Sequence, residues 1–95
     1  IIRSGKADYT IAIADCTEAI RLKPNYTLAH YNRGVAHFLS GDYDKAIIDC
    51  TEAIRLNPNC AEAYSKRGNA YAAKGDRANA EKDFAKARQL ELKPS

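Results

Sequence analysis

Histidine and cysteine are the residue types in this chain best suited to catalysis or metal binding, but their spacing argues against both roles. His30 and His37 are seven residues apart, which is about 10 Å on one helix and too far to share a metal ion. None of the three cysteines, Cys16, Cys50 and Cys60, belongs to a C-x-x-C pair. We therefore predict structural histidines and free thiols, with Cys60, in a loop, the most exposed.

The rest of the chain carries no recognisable catalytic motif. The sequence has no nucleophile elbow, no phosphate-binding loop and no paired carboxylates with a supporting base. We predict that the protein is not an enzyme and has no catalytic, cofactor-binding or metal-binding residues. The net charge is +3, and the positive and negative residues are interspersed along the chain. No apolar run approaches the roughly 18 residues that a membrane span needs. Free thiols favour a reducing compartment such as the cytoplasm.

A repeat of 34 residues organises the chain. Residues 8–25 align with residues 42–59, and fourteen of these 18 positions are identical. A weaker third copy follows another 34 residues on, with alanines at positions 80 and 87. Periods of roughly 20 to 50 residues are typical of solenoids, propellers and arrays.

Within each period the apolar residues recur at steps of three and four, which indicates amphipathic helices. Glycine followed by aspartate, at Gly41-Asp42 and Gly75-Asp76, predicts a tight turn and the start of the next helix. Pro58 prevents the preceding helix from continuing. The pattern predicts five helices, over about residues 7–22, 27–39, 43–56, 61–73 and 77–91.

These patterns resemble the tetratricopeptide repeat family, whose 34-residue helix-turn-helix unit has aromatic, leucine-glycine and small-residue positions in a fixed order. Arg33 and Arg67 stand where the family usually has leucine, which loosens the packing expected there. The matching positions in the three units are Ala12, Cys16, Ala19, Pro24; His30, Arg33, Gly34, His37, Ala46, Cys50, Ala53, Pro58; and Tyr64, Arg67, Gly68, Tyr71, Ala80, Phe84, Ala87.

The resemblance implies an all-α fold, an antiparallel helix-pair solenoid with a right-handed superhelical course. Residues 1–95 would form one array: 1–26 the second helix of a truncated repeat, 27–60 a full repeat, and 61–95 a full repeat with a polar capping helix. Glu81 and Arg88 stand in that last helix where the earlier units have isoleucine. Gly34 and Gly68 would let the two helices of a pair approach closely.

By the same resemblance, the first helix of each pair lines a concave groove that binds a peptide or protein partner. One half of that groove is apolar and aromatic, and the other is small and polar. Glu62 stands where the family's clamp for chaperone carboxylates needs lysine, which argues against that ligand. The predicted partner-binding residues are Leu28, Tyr31, Asn32, Val35, Phe38, Glu62, Ser65, Lys66 and Asn69.

Two alternatives to a partner-binding scaffold stay open on the sequence alone. The first is a structural repeat that forms a dimer or a domain swap through an uncovered helix face made of Tyr9, Ala12, Cys16 and Ala19. In that case Phe38 would only pack against a neighbouring repeat. The second is RNA binding through a basic surface formed by Arg21, Arg33, Arg55, Arg67 and Lys66.

Overall fold

The computed structural model describes residues 9–92, and over that range the chain forms five α-helices joined by short connections. Their bounds are α1 Tyr9–Leu22, α2 Thr27–Leu39, α3 Tyr43–Leu56, α4 Ala61–Ala73 and α5 Arg77–Leu92. This confirms the predicted all-α helix-pair fold, with ends within about two residues of expectation. The outermost predicted residues, 1–8 and 93–95, lie outside the described residues.

A single glycine turn joins the two helices of each complete pair, at Gly41 between α2 and α3 and at Gly75 between α4 and α5. Gly41 and Gly75 have φ angles of 92° and 86°, in the left-handed region that glycine adopts without strain. In each turn the following aspartate then accepts a hydrogen bond from a backbone amide three residues on, Lys45 N to Asp42 Oδ1 and Asn79 N to Asp76 Oδ1, both at 3.3 Å. The predicted turn and cap are thus present in both repeats.

The core between paired helices is built mainly from small residues. A methyl group added at Gly34 would lie 3.1 Å from Cys50 Sγ and 3.3 Å from the carbonyl oxygen of Ala46. One added at Gly68 would lie 2.7 Å from the ring of Phe84. The predicted close approach at both glycines is therefore confirmed. The buried apolar residues are Ala29, Ala36, Ala46, Cys50, Ala53, Ala63, Ala70, Ala80 and Ala87.

Each helix packs against the next one in sequence, and α2 also contacts α4. The first helices of the two complete pairs therefore lie side by side and share a surface, here called the α2/α4 face. His30 fixes the start of α2, because it is buried and its Nε2 lies 2.8 Å from the carbonyl oxygen of Pro24. This is the structural role predicted for that histidine.

Candidate functional site

Arg33 and Arg67, expected to loosen the packing, instead form a repeated clamp across three helices. Arg33 donates to both carboxylate oxygens of Asp49, from Nε at 2.8 Å and from Nη2 at 2.9 Å. Its Nη1 donates to Thr17 Oγ1 at 3.2 Å. The guanidinium on α2 therefore joins α1 to α3. We correct the expectation of loose packing at this position, because a bidentate ion pair replaces the leucine contact.

The second complete repeat has the same clamp. Arg67 on α4 bonds to Asp83 through Nε and Nη2, both at 2.8 Å, and to Thr51 through Nη1 at 3.2 Å. The carboxylates are buried, with side-chain exposures of 5% at Asp49 and 7% at Asp83. Because the hydrogen bonds to the aspartates stabilise the charged form, the pKa of each arginine is raised.

Four of the five residues assigned to a basic RNA-binding surface are held in ion pairs. Besides the two clamp arginines, Arg21 bonds to Glu18 and Arg55 bonds to Glu52, each within one helix. Only Lys66 of that set has no ion pair among residues 9–92. The proposed basic surface is therefore largely neutralised by adjacent carboxylates, which disfavours RNA binding.

The α2/α4 face contains a depression between the two helices that brings together three of the predicted binding residues. Leu28, Tyr31 and Glu62 line it, together with Thr27, Asn57 and Cys60, and its volume is about 330 Å³. Burial raises the pKa of Tyr31, and the nearby Glu62 carboxylate raises it further. The three additional lining residues were missed, because they lie at the helix starts and in the α3–α4 connection.

A second depression, of about 200 Å³, lies where α1 meets α2. Leu28 and Asn32 line it from α2, and Asp15, Cys16 and Ala19 line it from α1. Leu28, 53% exposed, therefore borders both depressions. Asp15 was not among the predicted functional residues.

The other predicted binding residues line neither of these two depressions. Phe38 packs against Tyr43 of α3, with ring centroids 5.5 Å apart and planes inclined by 54°, so its ring is engaged within its own repeat. Val35, Ser65, Lys66 and Asn69 are half-buried on the same two helices. Their part in binding stays a prediction.

The three cysteines are free thiols. Cys50 is fully buried, and burial raises its pKa to about 12. Cys16 is half-buried, and burial raises its pKa as well. Cys60 is half-buried at the start of α4 rather than exposed, because it lines the larger depression. Thiols with raised pKa values are poor nucleophiles at neutral pH.

Residues 9–92 hold no group of three or more histidine, cysteine or acidic side chains placed to bind a metal ion. Within the same part of the chain, none of the helices has both the length and the apolar character needed to cross a membrane.

Two tetratricopeptide repeat family models match the chain, over residues 27–60 and 50–94. A comparison with curated proteins found no match.

Solved structures of the same fold match most of the chain. The crystal structure of MamA is 36% identical, with a TM-score of 0.85; the match covers 88% of this chain and 49% of MamA. The second TPR of Spaghetti (RPAP3), bound to the HSP90 peptide SRMEEVD, is 32% identical, with a TM-score of 0.84 and coverages of 86% and 76%. The TPR2B domain of yeast Sti1, in complex with pHsp70, is 30% identical, with a TM-score of 0.86 and coverages of 90% and 69%.

This chain thus spans about half the length of MamA and more than two thirds of the RPAP3 and Sti1 domains. Both the TM-scores and the sequence identities support a common fold. The chain belongs to the tetratricopeptide repeat family.

Proposed function

We propose that the protein is an interaction scaffold that binds a peptide or a protein segment on the α2/α4 face. The observation that carries this proposal is the depression between α2 and α4, where exposed Leu28 and half-buried Tyr31 stand beside the Glu62 carboxylate. An apolar wall next to a small number of polar groups is the usual composition of a ligand site. The similar RPAP3 domain is bound to an HSP90 peptide and the similar Sti1 domain is in complex with pHsp70, which supports a peptide or protein segment as the ligand.

The polar groups on this face suit an extended peptide. Asn32 is exposed beside Leu28, and Lys66 and Asn69 lie on α4. Apolar side chains of the ligand would enter at Leu28 and Tyr31, while its backbone or an acidic group meets the amides and Lys66. Because the helices are already packed, little ordering entropy remains to be lost from the scaffold when the ligand binds.

The test is selection from a displayed peptide library, followed by affinity measurement with purified peptides. We expect Tyr31→Glu to weaken binding of the enriched peptide by at least about tenfold, since it places a carboxylate in the apolar part of the site. Ile48→Glu is the matched control, because Ile48 is 65% exposed on α3 and lines neither depression of the site. Equal losses in the two variants, or no loss at Tyr31→Glu, would contradict the proposal.

A charge reversal separates this site from a carboxylate clamp for chaperone tails. The peptide SRMEEVD carried by the RPAP3 domain is acidic, and Glu62 repels acidic groups at the edge of the depression. We expect wild-type protein to bind SRMEEVD weakly and Glu62→Lys to bind it about fivefold more tightly. Tight binding by wild-type protein that Glu62→Lys leaves unchanged would mean that Glu62 does not govern selectivity.

Self-assembly is the second candidate function, favoured by the state of α1. This helix has no buried residue, and its Tyr9, Ala12, Cys16, Ala19 face is partly exposed. Under this hypothesis, light scattering at tens of micromolar gives a mass above that of one chain. Tyr31→Glu then leaves the mass unchanged, whereas a groove-mediated assembly would dissociate.

A further inference from the structure

We propose that the depression between α2 and α4 selects an arginine of the bound peptide. The Glu62 carboxylate would accept hydrogen bonds from the guanidinium, and the Tyr31 ring would be the surface against which the guanidinium packs. This inference rests on the peptide-binding function proposed above and names the side chain that the site recognises. Glu62 then attracts a cation as well as repelling acidic tails.

The first argument is the charge inside the depression. Among the described residues that line it, Glu62 is the only one with a charged side chain; the others are Thr27, Leu28, Tyr31, Asn57 and Cys60. Within residues 9–92 no basic side chain forms an ion pair with Glu62. Its Oε1 lies 3.9 Å from Cys60 Sγ, and a thiol is a weak donor. The carboxylate therefore keeps most of its acceptor capacity for a ligand.

The second argument is the surface beside that carboxylate. Leu28 is 53% exposed and Tyr31 is half-buried. Arginine combines an apolar stem with a planar cation that packs on aromatic rings. Burial raises the pKa of Tyr31 and the Glu62 carboxylate raises it further, so the phenol stays uncharged at neutral pH. An arginine side chain would thus meet an apolar wall, a neutral ring and a carboxylate in one depression.

The protein contains the same combination within its own fold. Arg67 donates to both carboxylate oxygens of Asp83 at 2.8 Å, and its guanidinium carbon lies 5.6 Å from the centre of the Tyr64 ring. There the carboxylate belongs to α5 and the tyrosine to α4. In the depression, Glu62 belongs to α4 and Tyr31 to α2. The proposed complex repeats this arrangement with an arginine that the ligand supplies.

Arginine suits this place better than lysine does. A guanidinium can donate two parallel hydrogen bonds to a carboxylate while its plane packs on a ring, whereas an ammonium is a compact and strongly hydrated charge. Flanking acidic residues would oppose the attraction. In SRMEEVD, the peptide bound to the RPAP3 domain, one arginine accompanies three acidic residues. The preferred ligand is therefore a peptide in which apolar residues flank the arginine.

The test starts from the peptides that a displayed library yields against the wild-type protein. We expect arginine to be enriched at one position of the peptides whose binding Tyr31→Glu weakens. An enriched peptide is then synthesised in two capped forms, one with arginine and one with citrulline, which has nearly the same shape without the charge. We expect citrulline to lower the affinity about fivefold. The difference should shrink in about 1 M salt, where the Debye length is about 3 Å.

A double-mutant cycle assigns the effect to Glu62. In Glu62→Gln the two forms of the peptide should bind with affinities within about twofold of each other, because a neutral amide does not attract the guanidinium. Glu81→Gln is the matched control, since it removes the same charge from an exposed side chain of α5 that does not line the depression. It should keep the difference of about fivefold. Circular dichroism should show equal helicity for both variants, because both side chains are exposed.

The outcomes separate this inference from the function on which it rests. Peptides that depend on Tyr31 but carry an apolar or acidic residue in place of arginine would overturn the inference and leave the proposed function standing. Equal affinities for the arginine and citrulline forms would do the same, as would a difference that persists in Glu62→Gln. A library that yields no saturable binder, or only binders that Tyr31→Glu does not affect, would contradict the proposed function and this inference together.

Discussion

The two complete repeats hold the same clamp in different surroundings. In the second, the guanidinium of Arg67 lies 5.6 Å from the ring of Tyr64 and 6.0 Å from that of Tyr71. In the first, the corresponding positions beside Arg33 are His30 and His37. The residue against the helix-crossing glycine also changes, from Cys50 to Phe84. The ion pair thus joins the helices in the same way in both repeats. The residues around it determine how a larger side chain at the glycine and a fall in pH affect the stability of each repeat.

Replacing the clamp arginines should produce the largest effect. We expect Arg33→Leu and Arg67→Leu each to lower the free energy of unfolding by about 2–4 kcal/mol, because a buried aspartate loses its partner. The loss should be larger at Arg67 by about 0.5–1 kcal/mol, since its cation also faces two tyrosine rings. Urea denaturation measures both values.

Double variants are the control for the clamp. Arg33→Leu with Asp49→Leu, and Arg67→Leu with Asp83→Leu, remove both charges and should recover much of the stability. If each single variant lowers the free energy of unfolding by less than about 1 kcal/mol, the clamp contributes no more than an exposed surface ion pair.

The next largest effect should come from substituting alanine for Gly34 or Gly68, and the two losses of stability should differ. In Gly68→Ala the new methyl lies 2.7 Å from Phe84, so the ring or the helices must move, and we expect a loss of about 1–3 kcal/mol. In Gly34→Ala the contact with Cys50 Sγ is 3.1 Å, and alanine's better helix propensity, worth about 1 kcal/mol, offsets the crowding. The expected net change there is below about 1 kcal/mol. Thermal unfolding of both variants tests this order, and a larger loss at Gly34 would reverse our account of the packing.

Acid should act mainly on the first repeat, with the smallest effect. Burial lowers the pKa of His37 below its ordinary 6.5, and the Asp49 carboxylate, 3.8 Å away, only partly offsets this. As pH falls through 6.5, the unfolded chain takes up the proton first, so the free energy of unfolding decreases until the folded-state pKa is passed. The contribution of neutral His37 to the free energy of unfolding is therefore fully present above pH 6.5 and is lost as the pH falls below that value.

His37→Tyr, which installs the residue found at position 71, is the matched variant for the acid effect. It should flatten the pH dependence of the free energy of unfolding between pH 6.5 and 5 relative to wild type. Identical pH profiles for the two proteins would exclude His37 as the source.

The helices and turns could be predicted from sequence because glycine, proline and the 34-residue period fix them locally. The clamp was missed, although a signal existed: Thr17, Arg33 and Asp49 are spaced by 16 residues, and so are Thr51, Arg67 and Asp83. Each residue was interpreted alone, whereas the contact joins three helices. Comparing each arginine with the family's leucine identified a substitution, but it gave no indication that the arginine pairs with an aspartate on the next helix.

The proposed binding face could be predicted only in part from the sequence. The family resemblance assigned Leu28, Tyr31 and Glu62 to the first helices of their pairs, and the packing of α2 on α4 brings them together. Cys60 joins them only because the α3–α4 connection folds back against α2, which no local pattern announces. Phe38 shares their spacing, yet it contacts Tyr43 across the helix pair. Periodicity assigns a residue to a helix face, but it does not show whether its side chain is already packed against another residue of the protein.

Amide chemical-shift mapping tests whether a peptide binds on the α2/α4 face, as proposed. Titrating ¹⁵N-labelled protein with a library-selected peptide should shift the resonances of Leu28, Tyr31, Asn32 and Glu62. The exposed outer positions of α3 and α5, such as Ile48 and Glu81, should stay unchanged. Shifts concentrated on α3 and α5, with residues 28–32 unaffected, would show that the peptide binds elsewhere on the repeat.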